Sequence, residues 1–561
     1  MFVVCQNCDK KFEVTPGDDL FYQKIKVPRP TRCPRCRIKR RMSFFNQRRL
    51  FRKKEDHSGK KIFSGYPSES PVRIYDRDYW LSDAWDPLSY GKDYDFSKSF
   101  FEQFRELLKS VPLMAISAGE HVNSDYCNNV DNVKDCYLCF DGNTSENCHY
   151  LVGFSDCRDC MDMYQCGESE LCYELFSAVK CFQCYFSSEL AECNNIWFSR
   201  DCYGCQDCFG CANLKNKKYH IYNQPHTKES YESFIKGQQL NSYTSFTEAR
   251  KKAKKFLASQ PQRYMHGAQN DNVVGEYVYH SHNVEFSYQG NEMEDVKYVQ
   301  CMGRNLRDCY DYTSWGGAEL VYESVNSGFG LSGVMFSFNC ADSVSDVEYS
   351  AMISSSQHLF GCIGLRNRKY CVLNKQYSES DYFTIRKKIV AQMATILYYD
   401  RKGKTYTYGE FFPPEMSPIN YKQSLAMDFY PLSDEEIESE GYKTGEVGLK
   451  AVKSTIDASE LPDKISDAPD VIVNEVIGCD SCKRAYRMIP KELEFLKKHN
   501  LPIPRLCPDC RYSERIKDRN PLTWWQRTCM KAGCEKQFKT SFDPTVKAIV
   551  YCDTCYEGEV G

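Results

Sequence analysis

The chain has 561 residues, room for three or four domains, with 42% hydrophobic and 14% aromatic residues. This composition excludes a disordered chain, and a net charge of -3 excludes a partner selected by global charge. The 32 cysteines sort by spacing into four in residues 5–36, fifteen in 127–211 and eight in 479–555, with Cys301, Cys309, Cys340, Cys362 and Cys371 scattered. Met1–Cys5 lacks a signal-peptide layout, and no run of about 18 apolar residues occurs. A reducing cytoplasm and no membrane span are therefore expected, which leaves the thiolates available to metal.

In chain order, Cys5-Gln-Asn-Cys8 is followed after 24 residues by Cys33-Pro-Arg-Cys36. Two such knuckles complete a tetrahedral thiolate site, so residues 1–40 predict a zinc ribbon. From Phe21 to Lys54 there are fourteen Lys or Arg residues and no Asp or Glu. Arg37, Lys39, Arg40, Arg41, Arg48, Arg49, Arg52 and Lys53, interleaved with Phe44, Phe45 and Phe51, form a candidate nucleic-acid surface, RNA more than DNA. A solvated helix face is the alternative. Residues 41–98 read as a basic segment and a degenerate ribbon that keeps its hairpin without metal. Asp76 and Asp78 there could bind a hard ion, or be simply solvated. Residues 99–116 read as an amphipathic linker helix.

Residues 117–240 carry cysteine rows in register: Cys127, Cys148, Cys172, Cys193; Cys136, Cys157, Cys181, Cys202; and Cys139, Cys160, Cys184, Cys205, each in steps of 21, 24 and 21. Short strand-like pieces between turns suggest coils of a parallel β-helix or a relative of it. Residues 275–400 duplicate this array: Phe209-Gly-Cys-Ala-Asn-Leu-Lys-Asn-Lys-Lys-Tyr219 matches Phe360-Gly-Cys-Ile-Gly-Leu-Arg-Asn-Arg-Lys-Tyr370, and Ser169–Glu174 matches Ala318–Glu323. Each array is expected to end in a helix capped by Thr227 or Ser378. Cys172 becomes Val321 in the second copy, so the coil does not require metal. The coil thiols read as buried filler, with metal sites at Cys136/Cys139 with Cys157/Cys160, and Cys181/Cys184 with Cys202/Cys205, as the alternative. Residues 241–274 read as a basic helical linker and 401–474 as a linker, polar and acidic from residue 440.

Near the C-terminus, Cys479-Asp-Ser-Cys482 precedes Cys507-Pro-Asp-Cys510, again with 24 residues between. Cys529-Met-Lys-Ala-Gly-Cys534 precedes Cys552-Asp-Thr-Cys555 with 17 between. Residues 475–515 and 516–561 therefore predict two further zinc ribbons. These CxxC, hairpin and CPxCR layouts resemble a bacterial zinc-ribbon family, and the last module resembles a small family of paired CxxC motifs. The whole layout resembles cysteine-rich zinc-ribbon proteins of small-genome bacteria. The resemblance covers residues 1–40 and 475–556; it implies zinc and no activity.

The expected fold is mainly β with flanking helices: terminal zinc ribbons and a duplicated, β-helix-like solenoid. No Walker loop, dinucleotide fingerprint, nucleophile elbow or metalloprotease histidine spacing is present. Four-thiolate sites leave no open metal position for water. The expectation is a non-enzymatic zinc-binding scaffold, with nucleic acid on residues 21–54 and a protein partner on the solenoid face. The alternative is metal handling or thiol redox sensing by the solenoid cysteines.

Overall fold

A computed structural model describes residues 1–445 and 452–560. The chain is mainly β and divides into two compact units. The first is Met1–Ser117, Met265–Gly448 and Leu522–Trp524; the second is Ala118–Tyr264, Leu449–Pro521 and Trp525–Gly561. Each contains a cysteine-knuckle module, a second hairpin module, one large strand ladder and long helices.

The second unit is built on a 12-stranded sheet. Its strands pair in parallel at a constant offset of twelve: Val152 with Tyr164, Tyr164 with Phe176, Tyr173 with Tyr185, Gln206 with Lys218. The steps of 21 and 24 read from the cysteines are therefore not the strand repeat. The underlying unit is three residues. Every third residue from Asn129 to Tyr222 has a left-handed φ, between +43° and +66°. The residue after most of these is the one that recurs inside. Cys136, Cys148, Cys160, Cys172 and Cys184 are all buried at this position, as are Cys157, Cys181, Cys193 and Cys205. Steps of 21 and 24 are seven and eight triplets, which both keep the inward phase; 24 spans two rungs, whereas 21 moves to a different column.

Left-handed backbone disfavours most side chains, and Asn, Asp and Gly tolerate it best. Asn, Asp or Gly fills many of these positions, including Asp135, Asn147, Asp156, Asp159, Asp201 and Gly204. The inward thiols are satisfied by backbone. Cys148 Sγ donates to Glu146 O at 3.3 Å and Cys157 O at 3.5 Å. Serine takes equivalent places: Ser145 and Ser169 Oγ accept from the amides of Cys157 and Cys181 at 2.9 and 3.2 Å. The ladder closes with one antiparallel pair, His220 with Pro225. Asn223 clasps the last turn, accepting from Ala212 N at 2.9 Å and donating to Ala212 O at 3.0 Å. A helix, Lys228–Gly237, follows with Thr227 as N-cap, and a longer one, Tyr243–Ala258, covers expected basic residues.

The first unit has an 11-stranded ladder of the same kind. Its offsets vary: eleven from Asp271 to His282, twelve from Ser345 to Gln357, thirteen from Leu331 to Val344. Its interior uses Val, Ser and a few Cys; Ser327 and Ser350 Oγ accept from the amides of Cys340 and Cys362, both at 3.0 Å. Asn374 repeats the clasp of Asn223 on Ile363, and Ser378 caps the helix Glu379–Met393.

The helix Phe100–Ser110 starts from a Ser99/Glu102 capping box and buries Phe100 and Phe104 in the first unit. Residues 401–474 are less of a connector than their polarity suggests. Phe411 and Phe412 are buried in the first unit, and Ala458, Leu461 and Ile465 join the core of the second. Residues 446–451 of the expected acidic stretch lie outside the described residues. No described helix is long and apolar enough to cross a membrane.

Candidate metal centres and their docks

Three tetracysteine groups bring their sulfurs within 4.8 Å of one another: Cys5, Cys8, Cys33, Cys36; Cys479, Cys482, Cys507, Cys510; and Cys529, Cys534, Cys552, Cys555. Each could hold a metal ion. The local chain explains the convergence. Cys5 N donates to Lys10 O at 2.9 Å, and Asp9 turns through a left-handed φ of 59°. Cys479 N and Lys483 repeat the turn at 3.0 Å and 58°. The second knuckle enters a helix, Pro34–Met42 or Pro508–Lys517, with proline at its first position and cysteine as N-cap. That cysteine's amide donates to the first sulfur: Cys33 N to Cys5 Sγ and Cys507 N to Cys479 Sγ, both at 3.2 Å. Facing sulfurs lie 3.8 Å apart for Cys8 and Cys33, 3.7 Å for Cys482 and Cys507, and 3.9 Å for Cys534 and Cys552. At Cys482, burial opposes ionisation, but the Arg484 guanidinium donating at 3.4 Å brings the thiol down to about 6.

The residues after each CPxC knuckle anchor the module to its ladder. In the first unit Arg37 donates to Asp311 Oδ2 through Nε (2.9 Å) and Nη2 (2.7 Å), and Arg41 donates to Asp311 Oδ1 at 2.9 Å. Glu323 adds ion pairs to Arg40 and Arg41 at 3.3 Å each. In the second unit Arg511 pairs with Asp162 at 2.8 Å and Glu492 at 2.9 Å, and Arg515 with Asp162 at 3.0 Å. All these side chains are at most 5% exposed. Burial opposes the charge of Arg37, yet the Asp311 carboxylate holds its guanidinium well above the usual value. Aromatic stacking completes each dock: Phe21 on Tyr310 at 3.9 Å in one unit, Phe495 edge-on to Tyr173 at 5.9 Å in the other.

The expected nucleic-acid residues are placed otherwise than a binding face requires. Arg37, Lys39, Arg40 and Arg41 are buried, and Lys39 pairs with Glu440. Arg40 shares Glu410 with Arg32, at 2.9 Å from its own Nη1. Lys53 is buried and donates to Ser70 O at 2.7 Å; Arg48 faces Asp428 at 3.4 Å. Arg49 is half-buried, its amide donating to Asn46 Oδ1 at 2.9 Å. Of the eight, Arg52 alone is exposed, lying over the Phe63 ring at 4.8 Å. Phe44, Phe45 and Phe51 are core residues. The absence of acids from residues 21–54 reflects the ladder and the 410–440 segment supplying them. Sequence reasoning missed these partners: Asp311, Glu323, Glu410, Asp162 and Glu492. The available signal was the Arg pair at i and i+4 after each knuckle, Arg37/Arg41 and Arg511/Arg515, and the duplicated Glu174/Glu323.

Cys136, Cys139, Cys157, Cys160, Cys181, Cys184, Cys202 and Cys205 are all buried in the ladder interior. Among the described residues they form no group of three or more ligand atoms within 4.8 Å. Burial pushes the Cys166 and Cys362 thiols well up, and Cys309 and Cys340 to about 12, which makes these four poor nucleophiles, whereas hydrogen bonds from Cys139 and Cys148 hold Cys136 down to about 3.

The second hairpin modules of the two units share a layout, with loops of six and eight residues between their paired strands. Phe51–Lys54 pairs with Lys61–Ser64 as Trp525–Thr528 pairs with Gln537–Thr540, and Gly59 and Gly533 share a left-handed turn (φ 75° and 80°). Strand and helix follow in both: Ile74–Tyr75 and Arg77–Leu81, Val550–Tyr551 and Asp553–Val560. Glu55, Asp76 and Tyr79 thus stand where Cys529, Cys552 and Cys555 stand; Glu55 N donates to Lys60 O at 2.9 Å as Cys5 N does to Lys10 O, so Ser58 takes the place of a knuckle's second cysteine. The Glu55 carboxylate accepts from the amides of His57 (2.7 Å) and Ser58, and the His57 ring stacks on Tyr79 at 3.7 Å. Asp76 caps its helix by accepting from Asp78 N at 3.1 Å, while Asp78 is exposed beside Arg77. No third ligand group joins these aspartates among the described residues.

No family model matches the chain, and no curated protein matches it. Among solved structures, the chain described as "Crystal structure of putative acetyltransferase from Desulfovibrio desulfuricans G20" is matched at 8% identity over 53% of this chain and 75% of that one. The TM-score is 0.10, a likeness that carries no argument about fold or activity.

Proposed function

We propose that the chain is a non-enzymatic, zinc-stapled scaffold. In this reading the two parallel ladders are closed solenoids, and three zinc ions hold the ribbon modules folded against them. The pairing of each CPxC knuckle with a buried Arg–Asp dock carries the reading, because it gives the metal a structural purpose within each unit. A tetrahedron with Zn–S bonds of about 2.3 Å has edges of about 3.8 Å. The sulfur separations of 3.7–3.9 Å suit it. Bound zinc would cross-link the two knuckles; docking and burial are the work of the chain's own arginines, carboxylates and aromatics.

A protein partner fits this scaffold better than nucleic acid, since the densest basic segment is internal. Val179, Ala191 and Tyr203 follow one another across paired strands of the second-unit ladder, with Phe182 close by in sequence. Val179, Phe182 and Tyr203 are 37–46% exposed, an apolar strip on an outward face. Elemental analysis of purified protein tests the core of the proposal: three zinc per chain is expected, whereas five or more metals, or iron absorbance, would favour metal handling. Crosslinking tests the partner: loss of a captured protein in a Val179→Lys, Tyr203→Lys variant supports the strip. Nucleic-acid capture unchanged by those two substitutions would refute it.

A further inference from the structure

The first unit contains a cleft of about 900 Å³ that none of the preceding features uses. Five cations line it: Arg105, Lys109, Arg401, Lys402 and Lys443. None has a carboxylate within 4.0 Å among the described residues, although ion pairs are frequent elsewhere in the unit. Lys443 is held in the wall by donating to Ser417 O. Burial, then the like charge of Arg401, brings its ammonium down to about 8. The acids lining the cleft do not compensate. Asp400 is occupied by the amides of Lys402 and Lys404 at 2.9 and 2.8 Å, Glu69 accepts from Gln423 at 3.3 Å, and Glu438 is exposed.

Glu415 differs from these. It is 8% exposed, and its Oε1 accepts from Tyr398 OH at 2.8 Å. Tyr398 in turn accepts from Arg105 at 3.3 Å. The second carboxyl oxygen, Oε2, is buried with no hydrogen-bond partner among the described residues. A buried acceptor left unmade costs about 1–3 kcal/mol. Converging unpaired cations select an anion, and the orphan acceptor selects a donor on the same molecule. We propose that this cleft binds a phosphate ester of a hydroxylated carbon skeleton, with the phosphate on Lys443, Arg105 and Lys109 and a ligand hydroxyl donating to Glu415.

The test is calorimetric titration of the zinc-loaded full chain with ribose 5-phosphate and, separately, inorganic phosphate. Both should bind, ribose 5-phosphate more tightly, and both more weakly as salt rises. Lys443→Gln and Arg105→Gln should each weaken both probes about tenfold or more, the loss of one charge-assisted hydrogen bond. The exposed pair Lys109→Gln, Lys402→Gln should weaken both without altering the fold. Glu415→Gln should weaken ribose 5-phosphate several-fold and spare inorganic phosphate. Failure of the wild type to bind either probe overturns the proposal, as does unaltered binding in the lysine variants. Equal affinity for the two probes, unmoved by Glu415→Gln, overturns the assignment to an ester.

Discussion

Replacing Asp311 by alanine should undock the N-terminal ribbon from its ladder. Asp311 is fully buried and receives three hydrogen bonds, two from Arg37 and one from Arg41. Without it, two buried guanidinia face Glu323 alone, at 3.6 and 3.3 Å, and Glu323 already serves Arg40. An uncompensated charge in such a place costs roughly 3–5 kcal/mol. At about 1.4 kcal/mol per decade, the local opening equilibrium should rise at least ~100-fold. With two units and bound metal, a single global midpoint is not well defined, so hydrogen exchange is the suitable assay. The amides of Arg37, Ser43 and Phe44, which close the ribbon helix, should exchange faster by that factor, and chelator should strip the N-terminal metal faster. The triple change Arg37→Met, Arg41→Met, Asp311→Leu removes charge and countercharge together and should restore most of the protection. An Asp311→Ala effect below about 1 kcal/mol, or a triple variant as damaged as the single one, would refute the docking argument.

Glu410 gives a pH dependence. Burial would raise its carboxyl, but Arg32 and Arg40 hold it down to about 2, against an ordinary value of 4.5. Its contribution is therefore present above pH ~4.5 and lost as pH falls from there toward ~2, about 3 kcal/mol in all. The stability gap between wild type and Glu410→Gln should shrink across that window; a gap that stays constant contradicts the assignment. Cys482→Ser should lower the metal content by one per chain and raise exchange in the second unit's ribbon, with the other two sites unchanged on elemental analysis. Conversely, Glu55→Cys, Ser58→Cys, Asp76→Cys and Tyr79→Cys together should add one metal, and a stoichiometry that does not rise would mean that the two hairpin modules are not equivalent. Cys160→Ser should cost less than about 1.5 kcal/mol and leave the metal count unaltered, since serine already occupies inward ladder positions.

What the sequence made legible followed from local chemistry. The knuckles were readable because two-residue gaps and the CPxC helix start act over a few residues. The helices after Thr227 and Ser378 were readable from their caps. The duplication was visible in the match of Phe209–Tyr219 with Phe360–Tyr370. The rung length was not, because four inward positions per twelve-residue rung put cysteine on several interleaved columns. The dipeptides Asp135-Cys136, Asn147-Cys148, Asp156-Cys157 and Asp159-Cys160 carried the finer signal: a left-handed residue followed by an inward one. The fate of the basic segment was illegible for a different reason. Its countercharges lie about 270 to 400 residues further along the chain, and no local pattern links Arg37 to Asp311.

The cysteine density of the first array needs no metal to account for it. An inward residue in a twelve-residue rung meets the same position of its neighbours at strand spacing, about 4.8 Å, so compact side chains stack there readily in columns, with larger ones such as Leu151 and Phe154 between them. It also faces backbone carbonyls, so a weak donor is preferable to a bare methyl group. Thiol meets both needs, as Cys193 does by donating to Ala191 O and Cys202 O at 3.3 Å each. Serine meets them with a stronger hydrogen bond, and valine meets only the first. The ladder of the first unit uses both, with Val321 and Val334 fully buried beside Ser324 and Ser337. The thiol-rich ladder, whose interior also holds Leu151, Phe154, Met163 and Ile196, keeps the offset at twelve, whereas the ladder of the first unit runs at eleven, twelve and thirteen. Both ladders carry aromatic series across successive rungs: Tyr173, Tyr185 and Trp197 in the second unit, the last two stacked at 4.3 Å, and Tyr322, Phe336 and Tyr349 in the first, the last two stacked at 4.6 Å. A constant rung places Tyr173, Tyr185 and Trp197 directly above one another, which offers one continuous outer row for packing.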